Sequence, residues 1–183
     1  EFGSEMGYIP APFNFKGNTI AGRFFINLMS AEKYRGKGAG AYLFNKAKDG
    51  ADIVMALGYN NYAAPLIRGF KWREMPHLKR HLLVINPENI SNIIGKKLPK
   101  SNKKTQSVLN SNFKFIEIKK FSKTFDKFWS EIKYKYPYTV VRSSEYLNWR
   151  FASHPIFKYR MFSILNGTKL CGFVVVRIER TPN

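Results

Sequence analysis

Seven residues in the first part of the chain have the types and spacing of an anion cradle. Tyr34-Arg35-Gly36-Lys37-Gly38-Ala39-Gly40 stands between an apolar run and a segment of helical character. Its backbone N–H groups therefore fall at a helix N-terminus, where unpaired amides and the positive end of the helix dipole favour a pyrophosphate. Glycines let the backbone approach a phosphate closely, and Arg35 and Lys37 add charge. The same pattern also serves as an ordinary turn before a helix. Two phosphate motifs are excluded: no Gly-Lys-Ser/Thr follows as in a P-loop, and the glycine intervals do not fit the dinucleotide fingerprint. Other reactive groups are few. One cysteine, Cys171, rules out an internal disulfide framework and, with three histidines, leaves little for a structural zinc site. His77 and His81 read as surface residues beside a strand.

Placing that loop requires a strand before it and a helix after it. Gly17 to Met29 reads as a turn and then a strand, whose apolar run suits burial on both faces. Gly38 to Lys48 has helical character and stops at the Asp49-Gly50 turn pair. Ala51 to Leu57 is a second buried strand, Asn60 to Arg68 a short helix limited by Pro65, and Leu82 to Ile85 a third strand. Strand and helix in alternation make an α/β unit. Gly95 to Asn112, with five lysines and no acid, reads as a linker. Beyond it, Phe113 to Phe121 is a strand. Phe125, Phe128, Trp129, Ile132 and Tyr136 mark an amphipathic helix capped by Ser122 or Thr124. Ser143 starts another helix that ends before Pro155, with Trp149 and its aromatic neighbours assigned to the core. Asn166-Gly167 joins a final hairpin.

The chain has 183 residues, 44% hydrophobic and 16% aromatic, which excludes wholesale disorder. Its formal net charge of +19 points to an anionic partner. Non-specific nucleic-acid binding is one reading, but no reader motif is present. No apolar stretch approaches the ~20 residues that span a bilayer, so no membrane partner is expected. With one cysteine and no secretory signal, the compartment reads as reducing and cytoplasmic. Glu1-Phe2-Gly3-Ser4 reads as a cloning scar. Glu5 then precedes Met6, as in a slice from a longer gene.

Leu28 to Gly40 resembles the acetyl-CoA-binding motif of the GNAT N-acetyltransferase superfamily, an Arg or Gln, two residues, Gly, one residue, then Gly or Ala, after an apolar strand. Arg35, Gly38 and Gly40 occupy those places. Gly58-Tyr59-Asn60-Asn61-Tyr62-Ala63 through Arg68-Gly69-Phe70 is similar to the family's second motif. The resemblance implies an α/β fold with a mixed sheet flanked by helices, and direct transfer of an acetyl group from acetyl-CoA to an amine. It implies that Leu28, Met29 and Ser30 pair with the pantetheine arm. Arg35, Gly36, Lys37, Gly38, Ala39 and Gly40 would hold the pyrophosphate, with Asn60 also on the cofactor. Cys171 would then be a buried spectator thiol. Ser30 and Glu32 depart from the family's usual Val and Pro. The family's tyrosine acid maps near Ile67, so Tyr59 or Tyr62 would substitute, and residues 20–31 hold no carboxylate to act as base.

The order of the parts is unusual for that family. The acetyl-CoA-binding half, residues 5–94, precedes the linker 95–112, and 113–183 resembles the front half of a second repeat. Tyr146 to Phe151 with His154-Pro155 is similar to the opening of the second repeat in tandem GNAT proteins. Either the chain is a slice of a two-repeat protein, with flanking repeat halves or self-association completing it, or the halves complete one permuted sheet. The acceptor is a small-molecule or peptide amine. A catalytically silent GNAT-like interaction module remains the other class of reading.

Overall fold

The computed structural model describes residues 3–59, 63–75, 91, 95–97 and 112–179. It begins with a strand that the sequence did not announce. β1 (Ser4–Pro10) runs antiparallel to β4 (Gly22–Ser30), with Ser4 opposite Ser30 and Pro10 opposite Arg23. Ser4, assigned above to a cloning scar, lies in the strand and its Oγ donates to Ser30 Oγ at 2.9 Å. Between the two strands the chain makes a small hairpin, β2 (Phe13–Phe15) and β3 (Asn18–Ile20), turning at Lys16 and Gly17. After β4 come α1 (Ala39–Lys46), β5 (Ile53–Ala56) and α2 (Ala64–Gly69), which begins with Pro65 in its first turn, where a missing N–H costs nothing.

The second half contains β6 (Phe113–Ile118), α3 (Thr124–Ile132), β7 (Tyr138–Val140), α4 (Ser144–Leu147), β8 (Tyr159–Asn166) and β9 (Lys169–Arg177). The strands form three sheets, ordered β1-β4-β5, β3-β2-β7 and β6-β8-β9, in a mixed α/β arrangement. β4 and β5 are adjacent and parallel, joined by α1, as the alternating pattern predicts. β5, read above as a buried strand, is an edge strand among the described residues and only half-buried along its length, with Leu57 exposed. β6 and the final hairpin make a separate sheet. The expected third strand, Leu82 to Ile85, His77 and His81 lie outside the described residues, as does the linker apart from 95–97 and Asn112.

Alternation along β4 sends neighbouring side chains to opposite faces. Phe25 turns toward the helices, where it packs with Phe44 and Ile67, and Trp72 and Phe70 close over Phe44 at ring separations of 4.9 and 5.0 Å. Phe24 turns the other way, toward a cluster built on Ala11, Phe13 and Val140 that Tyr146 also joins. That second cluster joins the halves. Its polar clasp is Asn14, 1% exposed, whose Nδ2 donates to the carbonyls of Lys133 (2.8 Å) and Tyr136 (2.7 Å) while Oδ1 accepts from Gly17 N–H (3.0 Å). A third cluster, Phe121, Phe125, Leu147 and Met161, holds α3 and α4 on the β6-β8-β9 sheet.

Three local expectations are corrected. α3 has Lys123 at its N-cap with no side-chain bond; Ser122 Oγ donates instead to Thr124 Oγ1. Cys171 is exposed. A register shift on β8–β9 pairs Ile164 with Gly172 and Leu165 with Leu170, so Cys171 is the extra residue of a bulge and Leu170 takes the inward place. Trp149 is 49% exposed because Asn148–Ala152 forms a π turn, which rotates the helix face and turns Phe151 to the core instead. The expected cap at Ser143 is present, its Oγ accepting from Tyr146 N–H at 3.2 Å.

The start of α4 also depends on Asp126, whose carboxylate accepts from Ser144 N–H (2.6 Å) and Ser144 Oγ (2.8 Å), with Lys123 3.4 Å away. Burial pushes this carboxyl upward, but the bonds from Ser144 and the Lys123 charge outweigh it and hold the pKa below the usual aspartate value. A depressed folded pKa gives stability that is present above about pH 4 and lost as pH falls through the folded value. Asp126→Asn should therefore cost about 1 kcal/mol at neutral pH, and the difference from wild type should vanish in urea unfolding at strongly acid pH. A pH-independent difference would contradict this assignment.

Candidate functional site

β4 keeps its two neighbours only to its middle. Its register with β5 ends at Phe25 opposite Ala56, and from Ile26 to Ser30 it pairs with β1 alone among the described residues. Here β4 also carries a bulge: Glu5 faces Met29 and Gly7 faces Ile26, so Met6 alone opposes Asn27 and Leu28. Asn27 takes a left-handed backbone (φ 52°), a conformation that asparagine tolerates better than most residues. Bulges bend a strand and increase its twist, and this one lies where β4 leaves β5. The apolar run is accordingly not buried throughout: Ile26 and Met29 are exposed.

The loop follows directly. A 3-10 turn, Glu32–Tyr34, leads to Gly36 (φ 74°) and Gly38 (φ 83°), the N-cap of α1. The positive φ values explain why glycine stands at both places. A Cβ on either would meet nothing within 4 Å, so the space over the backbone is open. Among the described residues no acceptor binds the N–H groups of Gly38, Ala39, Gly40 or Ala41, the usual state of a first helical turn. Gly40 packs near Leu28 and Ser30. Arg35 turns back, its Nε donating to Ser30 O at 3.2 Å, and so pins the loop to the strand. Lys37 lines an open depression of about 470 Å³ with Ser4, Tyr34, Gly38, Ala39, Tyr42 and Leu43. Tyr42 and Ser4 were not legible as lining residues, because one reads as a helix-face aromatic and the other as a cloning residue.

A second group of polar residues gathers beyond the end of β5. After Leu57 and Gly58, Tyr59 donates its hydroxyl to Glu74 Oε1 at 2.9 Å, and Arg68 Nε stands 3.3 Å from the same oxygen. The hydrogen bond to Glu74 raises the Tyr59 pKa above the usual tyrosine value, with partial burial and the Glu74 charge acting the same way. Glu74, which the sequence reading did not single out, is the carboxylate that joins Tyr59 and Arg68 here. Asn60 and Tyr62 lie outside the described residues. No group of three or more His, Cys, Asp or Glu among the described residues could hold a metal ion, and no described helix is long and apolar enough to cross a membrane.

No protein-family model and no curated protein matches the chain.

The Tyr59–Glu74 bond has a direct spectroscopic consequence. Glu74→Gln removes the charge that opposes ionisation, so Tyr59 should titrate closer to about 10 in the variant than in wild type. A difference titration against Tyr59→Phe isolates its signal. An unchanged midpoint would show that the pair does not form in solution.

Proposed function

We propose that the chain carries an acyl-CoA site of the GNAT kind and serves transfer of an acetyl group from acetyl-CoA to an amine. The observation that carries this reading is the juxtaposition at the end of β4: a bulged strand with one edge unpaired among the described residues, followed at once by a glycine loop whose helix-start amides meet no acceptor there. The open space over Gly36 and Gly38 fits a pyrophosphate approaching those amides, and Lys37 adds a cation beside it. The unpaired edge from Ile26 to Ser30 fits the amide-bearing pantetheine arm, which can complete the backbone bonds that β5 leaves unmade. Of the predicted contacts, Leu28, Met29 and Ser30 belong to that edge, and Gly36 to Gly40 to the loop. Arg35 acts by fixing the loop.

In this reading the acceptor nitrogen attacks the thioester carbonyl carbon. The new C–N bond forms, the C–S bond breaks, and the CoA thiolate leaves. The nitrogen attacks as the neutral amine, so the acceptor's ammonium first gives up a proton, which in this reading Glu74 takes, next to Tyr59 beyond the end of β5. Tyr59, protonated through neutral pH, orients Glu74 by donating its one hydroxyl proton to it. Cys171, exposed on β9, has no part in the transfer.

Calorimetry with CoA, dephospho-CoA and single-stranded DNA at two salt concentrations tests the proposal. CoA should bind wild type, and Gly38→Trp should weaken it at least tenfold, about 1.4 kcal/mol, because the side chain fills the space over the amides. Glu74→Gln should keep CoA affinity and lose turnover. A basic surface acting only as a polyanion sink would bind DNA as well as CoA, ignore the Gly38 change and collapse in salt. Equal CoA binding by wild type and Gly38→Trp would overturn the proposal.

A further inference from the structure

The hairpin turn at Lys16 and Gly17 gathers aromatic rings that the core does not use. Lys133-Tyr134-Lys135-Tyr136-Pro137-Tyr138 sets three tyrosines at alternate positions, and all three are between 56% and 68% exposed. Phe15, also exposed, faces Tyr138 across β2 and β7, with ring centres 5.4 Å apart and edge to face. Tyr134 stands over the turn itself, where a Cβ on Gly17 would run into its ring. Single exposed aromatics are ordinary; four gathered around one turn have the character of a binding surface.

The backbone that carries these rings is held in place. Asn14 donates to the carbonyls of Lys133 and Tyr136, Lys133 Nζ donates to Gly17 O at 2.9 Å, and Lys16 N–H donates to Pro137 O at 2.7 Å. The display is therefore organised before any ligand arrives, which lowers the cost of binding. Alternation puts Phe15 and Tyr138 on the Phe13–Val140 face of the small sheet, while Asn14 reaches from the other face to residues 133–136. The rings accordingly follow the hairpin tip around and do not share one plane. A flexible chain of stacking groups can take that path; a stiff duplex cannot.

Cations accompany the rings. Lys16 Nζ lies 5.9 Å from the centre of the Phe15 ring, and Lys133 Nζ 5.0 Å from that of Tyr134. Lys135 is exposed between Tyr134 and Tyr136. Residues 13–19 and 133–138 hold no Asp or Glu, and Glu131 stands two positions before Lys133. Aromatic faces with cations beside them suit single-stranded nucleic acid, whose bases stack and whose phosphates meet the lysines. An acidic peptide would use the lysines and leave the rings idle. The net charge of +19 draws a polyanion toward the surface. We propose that Phe15, Tyr134, Tyr136 and Tyr138, with Lys16 and Lys135, form a stacking site for single-stranded nucleic acid. This site shares no residue with the proposed acyl-CoA site and does not depend on that reading.

Fluorescence anisotropy of the whole chain with labelled oligothymidylate and oligouridylate, at low and at physiological salt, tests this. The tighter of the two identifies the strand as DNA or RNA, and failure of both to bind overturns the inference. Tyr136→Ala and Tyr138→Ala should each weaken binding at least fivefold, while Tyr136→Phe and Tyr138→Phe stay close to wild type, because stacking needs the ring and not the hydroxyl. Lys135→Gln should flatten the salt dependence. Circular dichroism establishes that the variants fold; if Tyr138→Ala does not, Tyr134→Ala and Tyr136→Ala decide the question. Gly38→Trp should leave strand affinity unchanged, which separates this surface from the loop proposed for CoA. Alanine variants that bind like wild type would overturn the inference. So would heparin or a duplex binding as tightly as the single strand at physiological salt, since generic attraction needs no rings. Loss of CoA binding with tyrosine-dependent strand binding intact sinks the acyltransferase reading alone.

Discussion

Backbone N–H and C=O groups along a strand pair with neighbouring strands or with water, and among the described residues β4 has too few strands beside it to pair them all. It is nine residues long, and β5 accompanies it for four. The remainder, from Ile26 to Ser30, keeps only β1 among the described residues, and a bulge at Asn27 lies where the pairing with β5 ends. Much of the surrounding architecture follows from this shortfall. The loop after β4 is held by Arg35 bonding back to Ser30 O and by Ala31 N–H donating to Gly3 O at 2.9 Å. α1 starts directly on that loop, and its buried Phe44 locks it over Phe25, so the free amides of its first turn stay next to the unpaired strand edge. The aromatic group Phe25, Phe44, Phe70 and Trp72 is therefore a positioning device as well as a core. Truncating a buried Phe of this kind costs about 3–5 kcal/mol.

The second half is tied to the first by a different kind of contact. β2 pairs with β7, and Asn14 satisfies three backbone groups from the two halves at once. β6, β8 and β9 form their own sheet rather than extending the first. What the second half brings to the first is the Val140 and Tyr146 side of the shared cluster, on the face away from α1. In consequence, residues from both halves of the sequence meet beside the place where β4 and β5 part, next to the proposed site.

The parts legible in the sequence were those whose pattern is local. The apolar run of β4, the glycine loop, the helical spacing of α1 and α3, and the Asn166-Gly167 turn each carry a short-range signal, although the turn itself sits one residue later, at Gly167 and Thr168. β2, β3 and β7 are three residues each, too short to show a period, and they exist because Asn14 and the Phe13–Val140 contact hold them. Cys171 and Trp149 were misplaced for one reason: an extra residue, in a bulge or a π turn, shifts which face a side chain takes, and periodicity cannot register it. Asn27 could have been read as a warning, being the lone polar residue in the run from Phe24 to Met29.

The central claim is that one ligand occupies both the free amides of the loop and the unpaired edge of β4. Backbone amide NMR during a CoA titration tests it most directly. The largest shifts should fall on Gly36 to Ala41 and on Ile26 to Ser30 together, with little change along β6, β8 and β9. Shifts spread over lysine-bearing surfaces, or confined to the loop with Ile26 to Ser30 unmoved, would contradict the account.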